Sequence, residues 1–138
     1  MYKTNEQILD SIIGKTPLSI EVDREVSEVT WHFTDGSKLV MYHRQDCCES
    51  VWIESIVGDF NDLIGVPLLK AEEVTNRGEL SDAAREDAGH WQGYVTWTFY
   101  KFASIKGYVD MRWCGSSNGY YSEEVDLEFN DASQREAA

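Results

Sequence analysis

Arg112 is the side chain in this sequence with the most chemistry around it. It lies in Tyr108-Val-Asp-Met-Arg-Trp, after the aromatic run Tyr94-Val-Thr-Trp-Thr-Phe-Tyr-Lys-Phe and before Gly115-Ser-Ser-Asn-Gly-Tyr-Tyr-Ser122. A guanidinium fork matches a phosphate with two parallel N–H···O bonds, and aromatic faces take a base. Ser116, Ser117, Asn118 and Gly119 offer hydroxyl, amide and backbone N–H donors to phosphate or ribose. Tyr120 and Tyr121 fall on opposite faces of an extended chain, so at most one is core and the other can stack. These are the ingredients of a site for a nucleotide-like ligand. Plainer roles exist for each: Arg112 in a cross-strand ion pair with Asp126 or Glu124, and Asn118-Gly119 as a simple hairpin turn.

No complete catalytic set accompanies them. His43-Arg-Gln-Asp46-Cys47-Cys48-Glu49 lacks the paired C-x-x-C spacing of a zinc site, and nothing places Cys47 beside His43 or His90 as a nucleophile with its base. His32 sits on a strand opposite the core face. There is no glycine-rich phosphate loop and no nucleophile elbow. The reading is a binding module without cofactor or metal rather than an enzyme.

Composition narrows the partners. With 25 acidic and 12 basic residues the net charge is −13, which argues against nucleic acid and anionic membranes, both of which need clustered cations. The first residues contain no apolar signal region, and no run reaches the length of a membrane span. Three cysteines, two of them adjacent, make a poor disulfide framework, so reduced thiols in a cytosol are expected.

The elements that must position these groups read as follows. Thr4-Asn-Glu-Gln7 is a capping box before Ile8, Leu9, Ile12 and Ile13, with Gly14 as the stop. Leu18-Ile20-Val22 and Val29-Trp31-Phe33 alternate as strands, and Asp35-Gly36 turns into Leu39 to Tyr42. Residues 43 to 50 form an irregular link. Val51 to Val57 fits a strand or a helical turn, and Asp59 to Gly65 a short helix. Leu68 to Val74 is a further strand, Asn76 to Gln92 a polar surface loop. Three strands end the chain before a tail from Asn130 to Ala138. The fold class is α+β, a mainly antiparallel sheet with one or two packed helices, in one domain over residues 1–138.

Period two puts Val109, Met111 and Trp113 in the core and Tyr108, Asp110, Arg112 and Cys114 on the other face. It likewise puts Val125, Leu127 and Phe129 in the core, opposite Glu124, Asp126 and Glu128. Lys101, Lys106, Arg112 and Arg135 are the cations nearest in sequence. One stack and two charged hydrogen bonds contribute on the order of 5–8 kcal/mol gross, whereas nanomolar binding needs about 12. A tight site therefore has to be enclosed, most simply between subunits.

Three segments carry a family resemblance: Met41 through Gly65 with its Asp46-Cys-Cys-Glu49 signature, Trp97-Thr-Phe-Tyr-Lys-Phe-Ala-Ser-Ile-Lys-Gly-Tyr-Val, and Arg112-Trp-Cys-Gly-Ser-Ser-Asn-Gly-Tyr-Tyr-Ser-Glu. Over roughly residues 9 to 129 the chain resembles the first-described Thoeris anti-defence proteins of phages and prophages. The resemblance implies a non-enzymatic sponge in the host bacterial cytoplasm. Such proteins sequester a cyclic ADP-ribose isomer made by TIR-domain enzymes, intact and between subunits of dimers that can form hexamers. Some also take cyclic oligonucleotides of CBASS defence. It further implies Tyr108 or Tyr120 stacking on adenine, Arg112 and Arg135 on phosphate, and Ser117, Asn118 and Gly119 around ribose or base. Two rivals stand beside it: an acidic nucleic-acid mimic that blocks a restriction or CRISPR protein, and an enzyme that degrades the signal through Cys47 or His43.

Overall fold

A computed structural model describes residues 3–79, 94–117 and 122–131. Its helix, α1 (Asn5–Ile12), begins as the spacing predicts. Thr4 Oγ1 accepts from the Gln7 N–H at 3.1 Å, and the Thr4 N–H returns a bond to Gln7 Oε1 at 2.9 Å. Ile8, Leu9 and Ile12 point inward from one face.

Eight strands follow: β1 (Pro17–Asp23), β2 (Glu28–Phe33), β3 (Lys38–Tyr42), β4 (Ser50–Gly58), β5 (Lys70–Glu79), β6 (Tyr94–Ala103), β7 (Tyr108–Ser117) and β8 (Asp126–Asn130). They form two antiparallel sheets, in the orders β1-β2-β3-β8 and β4-β7-β6-β5. Val29, Trp31, Phe33, Leu39 and Met41 from the first sheet share one core with Ile53, Phe102, Val109, Met111 and Trp113 from the second. The Trp31 and Phe102 rings, 4.7 Å apart, join the two layers.

Each side of the sandwich is closed differently. On one, α1 packs against edge strands β5 and β8, and the Asn5 amide donates to Glu73 Oε2 and the Val125 carbonyl. On the other, the β1–β2 turn reaches edge strand β4. Arg24 donates to the carbonyls of Ile53 and Glu54, and Ser27 Oγ accepts from the Ile53 N–H at 2.9 Å. Those contacts occupy backbone groups that an edge strand otherwise leaves open.

The α+β class stands, with several differences in detail. The strands divide into two sheets, not one, and Val51–Val57 is strand. Asp59–Gly65 winds only as a 3-10 turn, Phe60–Asp62, with the Asp59 carboxylate capping the Asn61 N–H. Residues 76–79, read as loop, continue β5 and pair with residues 94–97. Polar side chains are compatible with an edge strand, because the backbone ladder supplies the pairing. Gly115–Ser117, read as turn, ends β7. A bulge between Pro17 and Ser19 shifts the alternation of β1 and leaves Leu18 exposed. The remainder of the Asn76–Gln92 loop, Asn118, Gly119 and Tyr120, and Arg135 with its tail lie outside the described residues.

Candidate functional site

Residues paired across an antiparallel ladder share a face, so the register of the second sheet assigns its outer surface. Arg112 pairs with Phe99 on one side and Ser55 on the other. Asp110 lies between Lys101 and Val57, and Tyr108 is opposite Ala103. Arg112, Phe99, Lys101, Asp110, Ser55 and Val57 line a shallow concavity of about 220 Å³.

One acid organises Arg112, and it is neither Asp126 nor Glu124. Asp126 is in β8 of the other sheet, where its Oδ2 accepts from the Arg44 N–H at 2.8 Å, and Glu124 precedes β8, outside the ladders that β7 makes with β4 and β6. The partner is Glu54, the extra residue at an irregularity between Ile53 and Ser55 in β4. A bulge re-aims its side chain, and here the carboxylate accepts from Arg112 Nη2 at 2.5 Å. Both side chains are partly exposed, so the pair holds geometry more than it stabilises the fold. Among the described residues the buried Arg112 Nε has no hydrogen-bond partner.

Next along the same face, Cys114 and Val95 are buried with Trp52 and Trp97 packed on them. Desolvation, with Glu54 nearby, pushes the Cys114 thiol up to about 12, which keeps it an inert thiol. Tyr108 is 56% exposed and lies four residues from Arg112 on the same strand. That is about 13 Å along the surface, a span a nucleotide can bridge. The structure thus brings Tyr108 and Arg112 onto one face. Ser117 has the opposite parity and is buried on the inner side, paired with Tyr94, so it does not join them.

The Cys-Cys signature acquires a physical role. Glu49 is fully buried, and its carboxylate accepts from the Asp46 N–H at 2.8 Å and the Cys47 N–H at 2.9 Å. The His43 ring bonds the same carboxylate through Nε2 at 2.7 Å, while its Nδ1 lies 2.6 Å from the Glu124 carbonyl oxygen. Burial opposes the Glu49 charge, but the bonds from Cys47, His43 and Asp46 outweigh it and bring the carboxyl down to about 2. Cys47 and Cys48 are joined as a vicinal disulfide, where free thiols were expected. His43 is committed at both nitrogens, so in this geometry the two are not a base and its nucleophile. Sequence spacing showed the cluster but not that Glu49 is its centre.

A family model described as a domain of unknown function, DUF7448, matches residues 10–127. The chain belongs to the DUF7448 family. No curated protein and no solved structure matches it. The DUF7448 span includes Tyr108, Arg112, Glu54 and the whole His43–Glu49 loop, and stops before Arg135.

On this face of the DUF7448 domain, the cations Arg112, Lys101 and Lys70 stand among Glu54, Asp110 and the exposed Glu72, with Lys70 Nζ 3.8 Å from the Glu72 carboxylate. An aromatic edge, a fork and an ammonium suit a single anionic group next to a planar one. Concavities that enclose drug-sized ligands run about 300–1,000 Å³, so this one is too small to enclose such a ligand by itself.

Proposed function

We propose that the protein binds a nucleotide-type signal without chemically altering it, and that the signal is a cyclic ADP-ribose isomer made by TIR-domain enzymes. The observation that carries this reading is the outer face of the second sheet. There Glu54 orients Arg112 beside Phe99 and Lys101, with Tyr108 exposed on the same strand. The Thoeris anti-defence resemblance of the Met41–Gly65, Trp97–Val109 and Arg112–Glu123 segments supports the same reading.

In this account the Arg112 fork meets one phosphate oxygen pair, Tyr108 stacks on the adenine, and Asn118 with its backbone serves ribose or base. The ligand exchanges partly for Glu54 as the partner of Arg112, so the arginine arrives oriented and partly desolvated. A second copy of the chain covers the shallow concavity and supplies the missing enclosure and positive charge, as a dimer or a higher even oligomer such as a hexamer. Sequestration in the host bacterial cytoplasm keeps the signal from its effector. Cyclic oligonucleotides of CBASS defence are a further ligand class under the same resemblance. On localisation the structure itself contributes one fact: among the described residues no helix is long and apolar enough to cross a membrane.

The test is retention and return. The protein is incubated with the products of a TIR enzyme and desalted, and native mass spectra are taken before and after heat denaturation. An even oligomer that carries the ligand mass and releases it unchanged supports sequestration. A signal consumed over time shows an enzyme instead, and a signal untouched in solution with no adduct removes this ligand.

A further inference from the structure

The His43 ring connects two segments far apart in sequence, the β3–β4 link and the 122–125 crossover from the second sheet back to the first. Its Nδ1 faces the Glu124 carbonyl oxygen at 2.6 Å and its Nε2 faces Glu49 Oε2 at 2.7 Å, with the His43 side chain 5% exposed. A carbonyl oxygen only accepts. The Glu49 carboxylate, which already accepts from two backbone N–H groups, accepts here as well. Both ring nitrogens must therefore donate, and only the doubly protonated ring has two N–H groups.

We infer that His43 is carried as an imidazolium and acts as a pH-sensitive clasp that locks the Asp46–Glu49 turn to the 122–125 crossover. The charged groups around it are Glu49 and Asp46 from its own loop, Arg44 beside it, Glu124 from the crossover and Asp126 from β8. The crossover it holds lies directly on the second sheet. A Cβ built at Gly115 would lie 2.8 Å from Glu123 Cβ, and Thr96 Oγ1 donates to Glu123 Oε1 at 3.3 Å. Loss of either ring proton points a lone pair at an oxygen, so one link of the clasp breaks. Losing the Nδ1 proton frees the crossover; losing the Nε2 proton uncouples Glu49 and the turn it caps. Protonated ring means closed, neutral ring means open. The inference is independent of what ligand the outer face takes.

The experiment uses the full chain without ligand. Ring ¹⁵N spectra of His43 are recorded across a pH series, together with hydrogen-exchange protection of the Asp46 and Cys47 amides. The clasp requires two protonated ring nitrogens wherever the Asp46 and Cys47 amides are protected. It also requires protection at Asp46 and Cys47 to fall roughly tenfold or more as the ring loses its proton at higher pH, after correction for intrinsic exchange. A His43→Gln variant, which cannot donate to both acceptors in this geometry, should lack the step and show the lower protection throughout. A ring with one bare nitrogen while those amides stay protected overturns the inference, whether or not the variant folds. So does protection that stays constant while the ring titrates.

Discussion

Glu54 and Arg112 meet at 2.5 Å across an irregularity in β4, and that irregularity is what lets the carboxylate reach the guanidinium. Glu54 thus sets the direction of Arg112 and also competes with any anion that approaches it. Both side chains are partly exposed, so Glu54→Gln should change stability by at most about 1 kcal/mol. Its effect on an anionic ligand should be larger and favourable, roughly three- to tenfold tighter, because a neighbouring negative charge is gone. Titration calorimetry at two salt concentrations, with a thermal melt as control, checks both halves. Equal or weaker affinity in the variant would mean that orientation by Glu54 outweighs competition.

Arg112→Lys keeps the charge and loses the fork. If the ligand is a phosphate gripped by two parallel bonds, affinity falls about tenfold or more while the melting temperature stays within a few degrees. A ligand held by net charge alone would lose almost nothing.

Stability in acid should depend on Glu49. Its carboxyl lies at about 2 in the fold against an ordinary 4.5, so its folded value is depressed. The stabilisation is therefore fully present above pH 4.5 and is lost as the pH falls toward 2. Urea midpoints measured from pH 6 down should drop across that window. Glu49→Gln should flatten the acid limb and lower stability at neutral pH by about 1–3 kcal/mol, since an amide nitrogen then replaces one of the buried oxygens that accept from Asp46 and Cys47.

Gly115 tests the crossover. A methyl group there would meet the Glu123 side chain at 2.8 Å, its carbonyl oxygen at 2.9 Å and Val51 Cγ2 at 3.3 Å. Gly115→Ala should cost about 1–3 kcal/mol by displacing residues 122–125 from the sheet. A urea midpoint equal to wild type would show that the segment yields freely.

How much of this was legible in the sequence depended on whether a feature is local. The capping box at Thr4, the Val29-Trp31-Phe33 alternation, the Asp35-Gly36 turn and the core parity of β7 each follow from spacing within a few residues, and each holds. Arg112 and Tyr108 were placed on the outer face by the same rule. Its partner was not found, because Glu54 is 58 residues away and reaches it only through an irregularity that period two cannot show. The final strand was grouped with its sequence neighbours, yet β8 returns to the first sheet and pairs with β3, a long-range pairing that local spacing does not show. Ser117 was grouped with Arg112 as part of a turn. Once Gly115–Ser117 is strand, its parity turns it inward. Phe99 was within reach: it shares the parity of Lys101 in an antiparallel pair with β7.

The central claim is that Arg112 on this face holds the signal. The most direct measurement is calorimetric titration of a purified cyclic ADP-ribose isomer into wild-type protein and Arg112→Ala at matched concentrations. The account predicts saturable binding to wild type, recovery of the ligand unchanged, and affinity reduced at least about a hundredfold in a variant that melts normally. Equal affinity in the two proteins would contradict it and move the site off this face.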